Sequence, residues 1–262
     1  MFLATFAPGH PVFAGHFPGN PIVPGVLLLD EVHHALVARL ACSPTTLSVS
    51  SFKFLFPVRP GQAVSWALHE HAQGLYDVQL FAGERLVASG RFMRAPPPGG
   101  ALSFATPRAL PVTPIDIATI RAALPHAHDM VLLGGVSSFT TERVCCFATS
   151  HRAAMPLRSH GRLGIACGLE YAAQAMALHA ALRDRALLAT PAAGALLAVR
   201  KLRFFVPRLD DVDLDLMVDC DVKARDQAAA VYEFMLLADG RVLMSGQATV
   251  QFAALARAEG LA

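Results

Sequence analysis

The 262-residue sequence predicts an α+β protein made of one unit used twice, each unit an antiparallel sheet around a buried helix. Three observations predict it. Short motifs recur in order: Lys53-Phe54-Leu55-Phe56-Pro57 returns as Arg203-Phe204-Phe205-Val206-Pro207, and Leu86-Val87-Ala88-Ser89-Gly90 as Val242-Leu243-Met244-Ser245-Gly246. An apolar helix pattern containing one acid precedes each Phe-rich run, with Asp30 in the first and Glu170 in the second. A stretch dense in proline separates the copies: Pro96-Pro97-Pro98-Gly99-Gly100, then Pro107, Pro111 and Pro114. Matched positions drift apart by loop-sized amounts but keep their order, as a duplication requires.

In chain order, each half opens with a short strand and an irregular segment rich in glycine and proline. The first helix is expected over 26–40 and the second over 168–182. Both are apolar nearly all round, as in Val26-Leu27-Leu28-Leu29 or Ala172-Ala173 with Ala175-Met176-Ala177, so both should be buried. Strands are expected at 47–56, 63–70, 75–81 and 85–92, then at 196–206, 212–222, 228–237 and 241–252. Proline fixes φ and removes a donor, so residues 95–114 read as a semi-extended linker between units 1–94 and 115–262.

Composition narrows the function classes. Hydrophobic residues make up 54% and charged ones 16%, against about 25% charged in an average soluble domain. Disorder is excluded. A net charge of +2 gives no basic excess that would call for nucleic acid. The most apolar stretch, 171–199, is broken by Gln174, His179, Arg183, Asp184, Arg185 and Pro191, so no membrane span is expected. The first ten residues lack a basic start followed by a long apolar run. The expectation is a soluble, cytoplasmic protein. Its five cysteines, odd in number and without metal-like spacing, read as reduced buried thiols. Cys145 and Cys146 are adjacent in a strand-like run and should face opposite sides.

The chemistry-bearing segment runs from His10 to Asp30. Four prolines follow His10, and with the glycines they forbid regular structure until Gly25. The helix then begins, and the amides of Gly25 and Val26 are left without intrahelical partners. At the positive end of the helix dipole they suit an oxygen gaining negative charge. His16 sits on the loop before them. Asp30, fourteen residues after His16, lies inside the helix among leucines.

Gly15-His16-Phe17-Pro18-Gly19, Pro21, Pro24-Gly25-Val26 and Asp30 resemble the bacterial 3-hydroxyacyl-acyl-carrier-protein dehydratases. The resemblance implies the hotdog fold, here a double hotdog. Aspartate at the acid position is similar to the dehydratase–isomerase branch. Leu124-Pro125-His126-Ala127-His128-Asp129-Met130 and Gly168-Leu169-Glu170-Tyr171-Ala172-Ala173-Gln174-Ala175 resemble the glutamate branch more distantly. There the histidine is missing: fourteen residues before Glu170 stands Pro156. The two halves together are similar to the pair of dehydratase-like proteins of aryl polyene biosynthesis.

In that family, each site takes its histidine from one hotdog and its acid from the other. The resemblance therefore implies one working site, His16 with Glu170, and an opposite site joining Asp30 to Pro156 without a base, unless His151 or His160 substitutes. A 3-hydroxyacyl thioester loses a proton at C2 and hydroxide at C3. Neutral His16 suits the proton transfer. Glu170 in apolar surroundings is expected to have a raised pKa and to orient or protonate the hydroxyl. Gly25 and Val26 would meet the thioester oxygen, Phe17 and Ile22 the acyl chain in an apolar tunnel between the helices, and Gln174 would hold the carboxylate or line the substrate site. The resemblance implies an acyl carrier protein as partner, no metal or organic cofactor, and an internal pseudo-dimer, with further self-assembly left open.

Each of these residues also has a plainer reading. Asp30 satisfies a helix dipole equally well, Glu170 could be a simply satisfied carboxylate, and His16 a structural loop histidine. His33 with His34, His69 with His71, and His126 with His128 each offer two ligands and no third at zinc-like spacing, so they read as solvated or core histidines. Arg158, Arg162, Arg200, Lys201 and Arg203 suit an acidic carrier or a generic basic surface. Two other functions stay open: a hotdog thioesterase, which the Gly-His-Phe-Pro-Gly loop disfavours, and a non-catalytic acyl-carrier-binding partner.

Overall fold

A computed structural model of the chain describes residues 1–94, 115, 117–183 and 194–251. The proline-rich segment 95–114, expected as the linker, lies outside the described residues. The first half comprises β1 (Phe2–Thr5), α1 (Gly25–Leu40), β2 (Leu47–Phe54), β3 (Ala63–His71), β4 (Leu75–Ala82) and β5 (Arg85–Arg94). The second comprises α2 (Ile117–Ala123), β6 (Gly135–Phe139), β7 (Arg143–Ala148), α3 (Gly168–Arg183), β8 (Ala195–Phe204), β9 (Leu216–Arg225), β10 (Ala229–Ala238) and β11 (Arg241–Gln251).

All eleven strands form one antiparallel sheet in the order β1-β3-β4-β5-β2-β8-β11-β10-β9-β7-β6. The halves join at its middle. β2 and β8 are the first strands after α1 and α3, and they pair with Phe52 opposite Val199 and Ser51 opposite Arg200. Each half of the sheet wraps its own helix, the hotdog arrangement twice over. On α1, Leu27, Leu29, Val32 and Leu36 are buried; on α3, Leu169, Tyr171, Ala175 and Met176 are. Phe52, Phe92, Phe204 and Phe234 fill the space between helices and sheet. Full burial of each contributes about 1.5–3 kcal/mol.

The helix starts are what position the site. α1 packs against the single turn Ile165–Cys167 that leads into α3, so the two N-terminal ends meet. A Cβ on Gly25 would lie 2.7 Å from the Phe54 ring, so only glycine lets α1 approach β2 this closely. β2 stops at Phe54 rather than 56 because the amides of Leu55 and Phe56 both turn to the Val87 carbonyl. β9 begins at Leu216 rather than 212, since Val212 closes a turn on the Leu209 carbonyl. The second half carries one strand more than the first. Its β7 is fastened to β9 by the Arg143 guanidinium on the Asp219 carboxylate. Cys145, Cys146, Cys167 and Cys220 are buried free thiols, and Cys42 is partly exposed. Among the described residues, no helix is long and apolar enough to cross a membrane.

Candidate active site

His16 sits on a loop whose course is set by the 3-10 turn Pro11–Ala14. The loop is pressed onto the second half. Ala127 donates its amide to the Gly15 carbonyl at 3.1 Å, and a Cβ on Gly15 would strike the Ala127 carbonyl and come within 2.7 Å of Met130 Cβ. The His16 ring is buried and fixed: Nδ1 lies 3.0 Å from the Ile22 carbonyl, while the Ile22 amide returns to the His16 carbonyl at 3.0 Å. A carbonyl only accepts, so Nδ1 carries the proton and Nε2 keeps its lone pair. Burial lowers the His16 pKa, and the charge of Glu170 recovers only part of the loss. The imidazole is therefore neutral at neutral pH, and Phe17 stacks on it at 4.0 Å.

Glu170 comes from the other half. It lies five residues past Ile165, where the 3-10 turn that runs on into α3 begins, as Asp30 lies five past Gly25, where α1 begins. Gln174, one turn on, donates through Nε2 to Glu170 Oε1 at 3.2 Å and to the Met130 carbonyl at 2.8 Å. Its Oε1 accepts the Leu132 amide at 2.9 Å. Both amide protons are thus spent on fixing the carboxylate and the 130–132 segment.

The third member is His126, whose Nε2 lies 2.9 Å from Glu170 Oε1. One ring nitrogen each from His16 and His126 and one Glu170 oxygen lie within 4.8 Å of one another. Burial alone would push the Glu170 pKa up, which is the direction the sequence predicts. The His126 hydrogen bond and charge, His16 and the Gln174 amide outweigh it and hold the group down at about 2. Glu170 is thus held as a carboxylate at neutral pH, the opposite of the raised pKa expected from burial.

The matching place in the other helix pair is filled differently. Asp30 is bonded to Arg162, and His34, one turn on, acts on it only through charge. Asp30 Oδ2 lies 2.9 Å from Arg162 Nη2, in an ion pair that leaves Asp30 almost wholly buried. Gly164 has no Cβ because Asp30 and Arg162 occupy its place. His151 turns to the Val212 carbonyl at 2.9 Å and His160 to Glu31 at 3.1 Å, so neither is bonded to Asp30. Asp30, a catalytic candidate expected in the opposite site, is paired with a cation.

The remaining candidates sort by position. The Gly25 and Val26 amides sit in the first turn of α1 and have no acceptor among the described residues. Ile22 contributes its carbonyl to His16. Of the basic residues, Arg158 is engaged with Asp210 at 2.7 Å and Arg162 with Asp30, whereas Arg200, Lys201 and Arg203 point outward from β8. Sequence spacing misses His126, which pairs in sequence with His128 but in space with His16, at 5.4 Å between ring centroids. The signal that could have found it is the Leu124-Pro125-His126 segment, which marks where the second half approaches the His16 loop.

Comparison with known proteins places these features in a family. A model described as ApeP dehydratase matches residues 118–258, and one described as ApeI dehydratase matches residues 2–91. The 3-hydroxyacyl-acyl-carrier-protein dehydratase FabZ of Chlamydia trachomatis serovar L2 is 34% identical over 93 residues, covering 30% of this chain and 61% of that protein. FabZ of a Nitratiruptor species is 33% identical over 95 residues, covering 30% of this chain and 64% of that protein. The chain thus spans less than two thirds of the length of these curated relatives. Among solved structures, the dehydratase domain of PpsC from Mycobacterium tuberculosis superposes with a TM-score of 0.72 at 14% identity, covering 95% of this chain and 92% of that one. The dehydratase domain of a mycocerosic acid synthase-like polyketide synthase gives 0.71 at 18% identity, covering 95% and 88%. At these identities the likeness is one of fold, and it extends over both halves.

Proposed function

Because the chain belongs to the ApeP-like dehydratase family, with an ApeI-like unit fused ahead of it, we propose that it dehydrates 3-hydroxyacyl thioesters on acyl carrier protein to trans-2-enoyl thioesters. The setting proposed is polyene-type polyketide or fatty-acid synthesis. One observation carries the reading: His16 of the first half and Glu170 of the second share a cluster within 4.8 Å, while the matching acid Asp30 is locked to Arg162.

The chemistry follows from the protonation states. Neutral His16 takes the C2 proton on Nε2. Charge moves onto the thioester oxygen, where the free amides of Gly25 and Val26 meet it; a donor of this kind contributes about 2.7–4 kcal/mol. Glu170, as the carboxylate, accepts a hydrogen bond from the C3 hydroxyl and turns it toward His16. The imidazolium then gives its proton to the departing hydroxide, and water leaves. The ring ends neutral, as it began. Glu170 changes no proton in this cycle, which fits a carboxylate held far below the usual range. His126 and Gln174 hold that carboxylate in place.

The test is incubation with a 3-hydroxyacyl carrier protein, following conjugated enoyl absorbance and free thiol together. Enoyl product without thiol is expected. Thiol release would mean hydrolysis, and neither signal would leave only carrier binding. Within the active enzyme, His16→Ala and Glu170→Gln should each lower turnover by about 10²–10⁴-fold, and Asp30→Asn should leave the turnover of folded protein near wild type. A damaging Asp30→Asn beside a silent Glu170→Gln would refute the shared site.

A further inference from the structure

We propose that the cleft between the halves also binds a divalent transition-metal ion of the zinc class, through His16, His126 and Glu170, and that the bound ion switches the enzyme off. The donor set is two imidazoles and one carboxylate, a combination that holds zinc with an open fourth position. Among the described residues it is the one group of three such side chains whose ligand atoms converge.

Two further observations point to a ligand. The first is the state of His126. Its side chain is only 8% exposed; Nε2 faces the Glu170 carboxylate at 2.9 Å, and Nδ1 has no partner among the described residues. A buried imidazole in that condition carries an unmet polar demand. The second is the support behind the other two groups. The His16 ring is anchored through Nδ1 on the Ile22 carbonyl, and Glu170 is braced by Gln174. A histidine that hands its second nitrogen to a backbone carbonyl, beside a hydrogen-bonded carboxylate, is the outer-shell pattern that orients metal ligands.

The dimensions are close to what an ion needs. Ligand atoms about 2.0–2.1 Å from a tetrahedral zinc lie about 3.4 Å apart. The His126–Glu170 edge is already 2.9 Å and the widest separation in the group is at most 4.8 Å. Closing the remaining gap takes a small movement of the His126 ring, whose Nδ1 has no hydrogen bond among the described residues to restrain it. Once bound, the ion occupies the His16 lone pair and the Glu170 oxygen, so no base is left for C2. That last step rests on the dehydratase reading; the binding itself does not.

The experiment uses the whole chain and two probes. Zinc is titrated in competition with a chromophoric chelator, and cobalt(II) is added separately to read ligand-field absorption. One tight equivalent per chain is expected, with the cobalt spectrum of a tetrahedral nitrogen and oxygen site. His126→Ala and the isosteric Glu170→Gln should both lose it, while His71→Ala, at the exposed pair with Asp77, should keep it. In the dehydration assay, zinc at ten times its Kd should lower the rate about elevenfold by mass action, and a chelator should restore it. Two results would overturn the proposal: no stoichiometric binding, or binding that survives both cleft variants. An active enzyme indifferent to zinc would sink this inference and leave the dehydratase reading standing. A chain that binds one zinc in the cleft but forms no enoyl product would sink that reading and uphold the metal site.

Discussion

Gly15 is the point at which the base-bearing loop of one half touches the acid-bearing half, and Gly15→Ala tests whether that contact sets the site. The added Cβ would meet the Ala127 carbonyl and lie 2.7 Å from Met130 Cβ. Carbon atoms in contact sit about 3.5–4.0 Å apart, so about 1 Å of separation has to be found. Buried Val12 and Phe13 anchor the loop, buried Met130 anchors the 126–130 segment, and the two share the Ala127–Gly15 backbone bond, so neither yields freely. Overpacking of this kind costs about 1–3 kcal/mol, which thermal unfolding should show as a loss of about 2–4 °C per kcal/mol. The larger effect falls on turnover. A displacement of about 1 Å between reacting groups costs about 10²-fold, and here it would separate His16 from Glu170 directly. The assay is enoyl formation from a 3-hydroxyacyl carrier protein, with Gly9→Ala as control because a Cβ there meets nothing within 4 Å. If Gly15→Ala keeps both its melting temperature and its rate within a factor of two of the control, the loop contact does not position the base.

Three further outcomes follow from the same geometry. On the acid side, kcat/KM should fall with a midpoint below 6.5, the ordinary His16 value, because burial lowers it, and Glu170 stays ionised down to about pH 2; a midpoint above 6.5 would contradict the neutral buried base. The same shift makes the His16 contribution to stability complete above pH 6.5 and progressively lost below it, since the unfolded chain binds that proton more readily. Gln174→Leu leaves the Met130 carbonyl and the Leu132 amide unpaired at about 1–3 kcal/mol each, and kcat should fall more than KM rises; an unchanged kcat in folded protein would remove Gln174 from any positioning role. Breaking the Asp30–Arg162 pair costs up to about 3–5 kcal/mol, but unequally: burial already raises the Asp30 pKa, so in Arg162→Met it escapes by taking a proton, whereas Asp30→Leu strands a guanidinium that cannot lose one. Denaturant melts should show Asp30→Leu as the worse of the two, and Arg162→Met should lose stability as pH rises, because unfolding then releases the Asp30 proton.

Much of this was legible in the chain itself because it is encoded locally. The all-apolar faces of α1 and α3 place both helices to within a residue, and the repeated Phe-rich strands announce the doubled sheet. The run from Gly15 to Asp30 is a local instruction too, with prolines and glycines that forbid regular structure until a helix must begin. What stayed hidden depends on contacts far apart in sequence. His126 becomes part of the site only because Ala127 bonds to Gly15, and no periodicity reports that. The raised pKa expected for Glu170 counted burial without its two imidazoles and an amide. Arg162 carries no motif, yet it decides the fate of Asp30 from the other half of the chain. β6, short and rich in serine, lacks the alternation that makes a strand visible, and β7 shows in the sequence only as the strand-like run around Cys145 and Cys146.

On the proposed shared site, unequal use of the two acids would let the copies fuse at no cost in chemistry. Two identical hotdogs would have to keep a histidine loop and an acid on each, since each site borrows from both. Once the halves differ, one can specialise in the base and the other in the acid. The second cleft is then free to do other work. Here it holds a buried aspartate from α1 against an arginine from the loop before α3, closed over the bare backbone of Gly164. Such a pair adds little net stability over a well-packed apolar contact, but it penalises misregistered packing heavily, because either partner alone is a buried charge. The place of the lost site is thus well suited to keep α1 and the start of α3 in the one register that brings His16 and Glu170 together. If so, replacing both Asp30 and Arg162 by apolar residues of similar size should leave stability near wild type while lowering turnover through a loosened His16–Glu170 distance. A double variant equal to wild type in both would show that the second cleft is merely filled.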